Sequence, residues 1–294
     1  MRSEGGIIMT YKSMIFMPGN NPGMLFSSSI LGADAIIIDL EDAVSANEKD
    51  AARLLVREYL LSIDNPVDVL IRINPLDTPY FYDDLDTIMG LNFQGIMLPK
   101  ASVESMRALD KYLNEKNADY FIFGLVETAM GLENSLEILA QSKRVKGVLL
   151  GAEDLTLDLG AKRTKPSEEI RYARQKIIAV SKALQIEAID TPFTDTDDIE
   201  GLKIDTEFAK SMGMTGKAAI SPRHIDAINE IFAPTEKEVE HAIRVCEGAI
   251  DAKEKGLGAW SLDGKMVDAP IIKRAVSLLK GTEFFKEGYN DLLK

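Results

Sequence analysis

The stretch AIIIDLEDAVSANEKDAARLLVREYLLSIDNPVDVLIRIN, residues 35–74, decides the fold. It opens on AIIIDL and closes on VDVLIRI, two short runs rich in Ile, Leu and Val with little alternation, as in strands buried on both faces. Between them, residues 47–62 carry apolar side chains at helical spacing, with Asn47 in the N-cap position. Strand, helix and strand of these lengths make one βαβ unit. Outward from it the pattern continues: KSMIFM lies before it, and GIMLP, YFIFGLV, KGVLLG, EAID and GKAAI follow. Room for a crossover helix separates them, and residues 102–116, 132–142 and 166–184 read as three such helices, the last with Pro166 in its first turn. Eight strand-like runs predict a (β/α)8 TIM barrel over residues 1–233, with its active site at the C-terminal ends of the strands.

The pattern changes after the eighth run. Thr235 to Glu238 form a capping box, and Val239, Ile243, Cys246 and Ile250 share one face of the helix that follows. Gly256, Gly258 and Gly264 surround Trp260 with tight turns, as in a hairpin flap, and a last helix starts at residue 269. Residues 234–294 therefore read as a C-terminal helical extension or lid, free to reach a neighbouring subunit, and not as a ninth barrel unit.

Composition narrows the function. The net charge of −13, from 47 acidic and 34 basic residues, disfavours nucleic acid, whose phosphates need a basic surface. No apolar run approaches the ~20 residues that span a membrane. The N-terminus MRSEGGIIMTYK lacks the apolar core of a signal peptide. The single cysteine, Cys246, excludes an internal disulfide and fits a reducing, cytoplasmic setting. With only His224 and His241 and no Cys cluster, a zinc site is not expected.

The strand ends carry the chemistry. Pro18-Gly19-Asn20, Asp39 with Glu41 and Asp42, Arg72, Lys100, Glu127, Glu153-Asp154, Asp190 and Ser221 all stand at or just after them. Glu127 and Asp154, on neighbouring units, repel each other unless a proton or a cation lies between them. Oxygen donors without His or Cys suit Mg²⁺, or Mn²⁺, over Zn²⁺; pairing with Arg or Lys at the barrel mouth is the structural alternative. Arg72, in an apolar run, either pairs with Asp39 or Glu41 or meets an anionic substrate, and its fork suits a carboxylate or enolate. Asp39, Glu41 and Asp42 cannot all face the mouth: one is expected to hold Arg72 or a metal-bound water and one to cap the following helix. Lys100 raises a Schiff-base aldolase as a rival, although it stands at the edge of its run, where Lys reaches solvent.

Taken together, the segments MIFMPGNNPGM, GADAIIIDLEDAVSANEKDAAR, IRINPLDTP, GIMLPK, GLVETAMGLEN, GAEDLTLDLG, GMTGKAAISPRHI, APTEKEVE and DGKMVDAP resemble the citrate lyase β-subunit family, within the HpcH/HpaI aldolases. Their order and combination, over nearly the whole chain, carry the resemblance. It implies a Mg²⁺-dependent lyase that breaks a C–C bond β to a thioester. Glu127 and Asp154 look like its metal ligands, Glu127 also bordering the substrate, and Arg72 looks like its substrate-binding arginine. Asp268 looks like an acid inserted into a neighbouring subunit's mouth, which implies a homotrimer or hexamer; capping of the last helix is the alternative for Asp268. The expected reaction releases oxaloacetate and an acetyl thioester from a citryl-carrier protein, in a complex with carrier-protein and transferase subunits. A stand-alone lyase of malyl-, citramalyl- or citryl-CoA and a non-catalytic scaffold are the alternatives. Two departures stand out: Lys12 replaces the family's arginine before the first strand, and NNPGMLFSSS has none of the lysines that CoA-using relatives carry there.

Overall fold

The computed structural model describes residues 11–256 and 258–293, so the N-terminal segment read above lies mostly outside the described residues. It divides into two compact units, Met1–Phe232 and Ala233–Lys294. In the first, β1 (Ser13–Pro18), β2 (Ala35–Asp39), β3 (Asp68–Arg72), β4 (Gly95–Leu98), β5 (Phe121–Val126), β6 (Val145–Leu150), β7 (Glu187–Asp190) and β8 (Gly216–Ala219) pair in parallel and close into a barrel in sequence order. All eight apolar runs are strands. The intervening helices are α1 (Pro22–Ser27), α2 (Lys49–Ser62), α3 (Tyr80–Ile88), α4 (Val103–Glu115), α5 (Ala129–Glu133), α6 (Ser135–Leu139), α7 (Ala152–Asp158), α8 (Arg171–Leu184), α9 (Ile199–Met212) and α10 (Ile225–Phe232).

Alternation along each strand sorts the core into two clusters. Met14, Ala35, Ile37, Leu70, Met97, Phe123, Leu125, Leu149, Ile189 and Ala218 fill the barrel. Their neighbours Ile15, Ile36, Ile38, Ile71, Ile96, Ile122 and Val148 face outward and pack in the shell beneath the helices. Continuing the inner parity toward the C-terminal ends reaches Phe16, Asp39, Arg72, Glu127, Gly151, Thr191 and Ile220. The same count turns Asp190 outward, which corrects its placement at the mouth.

Several local expectations shift. Asn47 does not cap α2: its side chain accepts from Ser45, and a 3₁₀ turn at Ala46–Glu48 leads into the helix. None of Asp39, Glu41 and Asp42 caps that helix either. The helix read at 132–142 is two short ones, and Pro166 precedes a 3₁₀ turn at Glu168–Ile170 before α8 begins. Ser102 caps α4 reciprocally with Ser105.

The second unit holds α11 (Glu236–Glu254), a hairpin of β9 (Trp260–Leu262) and β10 (Lys265–Val267), and α12 (Ala269–Leu279). Thr235 and Glu238 close the capping box at the start of α11. Cys246 is buried in this unit's core, and burial pushes its thiol up to about 11, so it packs and does not react. The Trp260 ring lies on Gly248, where a Cβ would approach it to 2.1 Å.

Outward-facing Asp190 belongs to a buried network. Arg174 donates to both its oxygens at 2.9 and 2.8 Å, and Lys217 donates to it at 2.6 Å. Asp205 on α9 accepts from the same two cations, at 2.8 and 2.7 Å. Two cations and two anions thus tie α8 and α9 to β7 and β8 without net charge. Removing one cation leaves buried charge uncompensated. Arg174→Ala is expected to lower the unfolding free energy by about 3–5 kcal/mol, read from urea denaturation.

Candidate active site

The inward residues at the strands' C-terminal ends line a cavity of about 450 Å³. Phe16, Asp39, Asp42, Arg72, Glu127, Gly151, Glu153, Asp154, Thr191 and Ile220 are on its wall. A larger cavity of about 970 Å³, among Tyr11, Phe121 and Glu187, opens at the strands' N-terminal ends, the face where barrels build stability. Lys12 stands at that end too, so its lost fork falls outside the mouth.

Asp39 and Arg72 are register partners on β2 and β3. Arg72 donates to Asp39 through Nε at 2.7 Å and Nη2 at 2.5 Å. Its Nη1 lies 3.1 Å from Glu41 and 3.6 Å from Asp42, and its guanidinium sits 5.1 Å from the centre of the Phe16 ring. Burial opposes the cation, but the Asp39 hydrogen bonds and the charges of Asp39, Glu41 and Asp42 outweigh it and raise the Arg72 pKa. Asp39 also accepts from the backbone of Glu41 and Ala43, at 2.8 and 3.0 Å, closing the turn after β2. One carboxylate therefore holds both the arginine and the loop.

Glu41 and Glu127 are buried, 4 % and 2 % exposed. Burial lifts Glu127 to about 8, helped by the charges of Glu41 and Asp154. Burial likewise lifts Glu41 to about 7, against the pull of Arg72. Neither Glu41 oxygen has a hydrogen-bond partner among the described residues. Glu127 Oε1 accepts the Lys100 backbone N–H at 2.7 Å. Asp154 lies in the first turn of α7, three residues after Gly151, while neighbouring Glu153 is held aside by Arg163 at 2.8 Å. The Lys100 side chain is half exposed, with Nζ 3.9 Å from Glu41. It lacks the enclosed apolar surroundings that activate a Schiff-base lysine, which weakens that alternative.

The mouth thus carries Asp39, Glu41, Asp42, Glu127 and Asp154 against Arg72 and Lys100, an excess of hard oxygen donors. Among the described residues no three carboxylates, imidazoles or thiols gather tightly enough to hold a metal alone. The donor set fits a cation gripped by Glu127 and Asp154 that leaves its other positions to water and substrate. Ser221 is not on the cavity wall; Ile220 takes its place. Asp268 lies in the second unit and caps α12, its Oδ1 accepting from Ile271 at 3.4 Å.

The profile of the HpcH/HpaI aldolase/citrate lyase family matches residues 12–222. The chain belongs to that family. It is 38% identical to the citrate lyase subunit beta of Leuconostoc mesenteroides subsp. cremoris over 92% of each chain. It is 30% identical to the human mitochondrial citramalyl-CoA lyase, over 94% of this chain and 86% of the relative. Its structure is similar to that of Mycobacterium tuberculosis CitE in complex with magnesium, acetoacetate and coenzyme A, with a TM-score of 0.77, 29% identity and coverage of 93% and 98%.

Membership in the HpcH/HpaI family makes the chain a carbon–carbon lyase. Sequence reasoning found the charged residues of the mouth but missed Gly151, Thr191 and Phe16. Counting the inner parity of strands six, seven and one forward to their ends reaches all three; the motif segments contain Phe16 and Gly151, while Thr191 directly follows the EAID run. The upward pKa shifts set a pH dependence. Glu41 and Glu127 keep their protons in the folded chain above the ordinary 4.5, where the unfolded chain has lost them. Their contribution to stability is thus fully present at low pH and falls as pH rises toward 7 and 8. In metal-free protein, Glu127→Gln is expected to exceed wild-type stability at alkaline pH by about 2–4 kcal/mol. The two should converge at acid pH, as read from denaturation at each pH.

Proposed function

We propose that this lyase cleaves a citryl thioester carried on an acyl-carrier protein, as the β subunit of a citrate lyase, and that it requires Mg²⁺. The single observation that carries the reading is the convergence of Arg72, Glu127 and Asp154 on one cavity, in a chain 38% identical to a citrate lyase subunit beta. A divalent cation held by Glu127 and Asp154 would lower the pKa of the substrate's tertiary hydroxyl, as metals do for bound water.

The chain's own residues supply the rest. Arg72, held rigid by Asp39, would share its Nη1 donors, which face Glu41 and Asp42, with an oxyanion that develops as the C–C bond breaks. One such donor is worth about 3–4 kcal/mol in a site that excludes water. A base takes the hydroxyl proton, the C–O bond becomes the keto group of oxaloacetate, and the C–C electron pair passes to the thioester enolate. Asp268, from a neighbouring subunit of a trimer or hexamer, would return a proton to the enolate carbon. Its weak 3.4 Å cap in α12 is compatible with a second partner. Magnesium in the related CitE structure supports the cation. The buried single cysteine fits a cytoplasmic setting, and no helix among the described residues is long and apolar enough to cross a membrane.

The carrier protein is favoured over free CoA by the neutral rim after β1. In α1 and the turn that follows it, Met24 reaches the cavity while Phe26 and Ile30 are exposed, and no lysine stands there to meet CoA phosphates. The relationship to citramalyl-CoA lyase keeps a CoA thioester as the second reading. Parallel assays with citryl-carrier, citryl-CoA, malyl-CoA and citramalyl-CoA decide between them; faster turnover of a CoA ester than of citryl-carrier would reverse the order.

Glu127→Gln and Asp154→Asn are each expected to abolish Mg²⁺ binding and cleavage, read by calorimetry and turnover. Arg72→Lys keeps the charge but loses the fork; it should retain the fold and lose roughly 10²–10³ in rate. Asp268→Asn subunits mixed with Arg72→Ala subunits should regain part of the activity that each lacks alone. No recovery in proven mixed oligomers would remove the trans role.

A further inference from the structure

Glu127 is oriented by two groups that supply it with nothing but shape and one hydrogen bond. We propose that Lys100, through its backbone N–H, and Gly151, through its missing side chain, are positioning residues that decide which Glu127 oxygen faces the bound cation. The inference rests on the assignment of Glu127 as a metal ligand.

Lys100 adopts φ of +44°, a left-handed conformation that a residue with a Cβ rarely takes. Asn117 and Gln185 share that region just after helices, and Asp263 within a hairpin turn, where it is ordinary. Lys100 instead follows β4 at the mouth. The ladder between β4 and β5 alternates from the bond of Phe121 N–H to Gln94. Continued, it would send the Lys100 N–H to the Leu125 carbonyl. Ala101 takes that carbonyl instead, at 3.1 Å. The chain bulges by one residue, and the Lys100 N–H is released to Glu127 Oε1 at 2.7 Å.

The other oxygen is set from the opposite side. Gly151 follows β6, beside the end of β5, with its N–H on the Val126 carbonyl at 2.9 Å. Its φ of −88° needs no glycine. Its surroundings do: a Cβ there would lie 2.6 Å from Glu127 Cβ and 3.0 Å from Oε2. With Oε1 fastened to the bulge, Oε2 lies against the glycine that starts α7, the helix that brings Asp154. Local strain held by the surrounding structure at a site of this kind is a mark of preorganisation.

The Lys100 ammonium faces Glu41 while its N–H faces Glu127, so the two contributions separate by mutation. Lys100→Gly and Lys100→Val both delete the ammonium. Glycine tolerates the left-handed turn; β-branched valine does not. Mn²⁺ affinity of metal-free protein, from the EPR signal of free Mn²⁺, is the readout, with thermal unfolding as the check on folding. Lys100→Gly is expected to stay within about threefold of wild type, while Lys100→Val and Gly151→Ala each bind about 10–100-fold more weakly. Should Lys100→Val not fold, Lys100→Ala takes its place, with weaker binding than Lys100→Gly expected. Wild-type affinity in the folded Lys100→Val or Lys100→Ala and Gly151→Ala proteins overturns the inference. So does equal weakening in the glycine and valine (or alanine) variants at Lys100, which would assign the effect to the ammonium. Glu127→Gln separates the two levels. Wild-type affinity there removes the ligand assignment itself. Its loss there, with affinity intact in the other variants, removes only the positioning roles.

Discussion

A closed ring of eight parallel strands turns every second side chain inward, and the rest of the site follows from that constraint. Apolar side chains fill the barrel, and on seven of the eight strands the next inward position reaches the mouth. Those positions are Phe16, Asp39, Arg72, Glu127, Gly151, Thr191 and Ile220. Because neighbouring strands are in parallel register, Asp39 meets Arg72 and Glu127 stands beside Gly151. Strand pairing thus places Asp39, Arg72 and Glu127, and the segments that follow the strands add Glu41, Asp42 and Asp154.

The same alternation separates two uses of charge. Outward, Asp190, Lys217, Arg174 and Asp205 balance one another completely and fasten helices to strands. Inward, carboxylates outnumber cations, and burial raises the pKa of Glu41 and Glu127. A balanced buried network is a structural device; an unbalanced one is held in readiness for a proton or a cation. Stability is given up at the mouth and supplied by the outer shell, a division that Arg174 and Glu127 illustrate from opposite sides.

Asp39 shows how few atoms connect these features. Its two oxygens accept from Arg72 and from the backbone of the next turn, so the arginine and the loop bearing Glu41 and Asp42 are located together. Glu41 then sits close enough to Arg72 and Lys100 to feel both charges. The acid cluster in DLED is therefore divided among roles: one member builds the site, one is buried within it, and one reaches its wall.

Much of this was legible in the sequence because buried parallel strands must be short, apolar and separated by crossover lengths. Residues 35–74 announce the βαβ unit, six further runs complete the ring, and Arg72, Glu127 and Asp154 are visible as polar groups at or after apolar run ends. What the sequence alone could not decide is direction and proximity. Asp190 ends a strand as Asp39 does, yet one faces the helices and the other the mouth, because β7 ends one position out of phase with the inner layer. Asn47 reads as a cap until the 3₁₀ turn displaces the helix start. Gly151 carries no chemistry of its own and matters only because Glu127 stands beside it in space. Linear order records which side chains are present; only the closed barrel, by fixing parity and register, decides which of them share a wall.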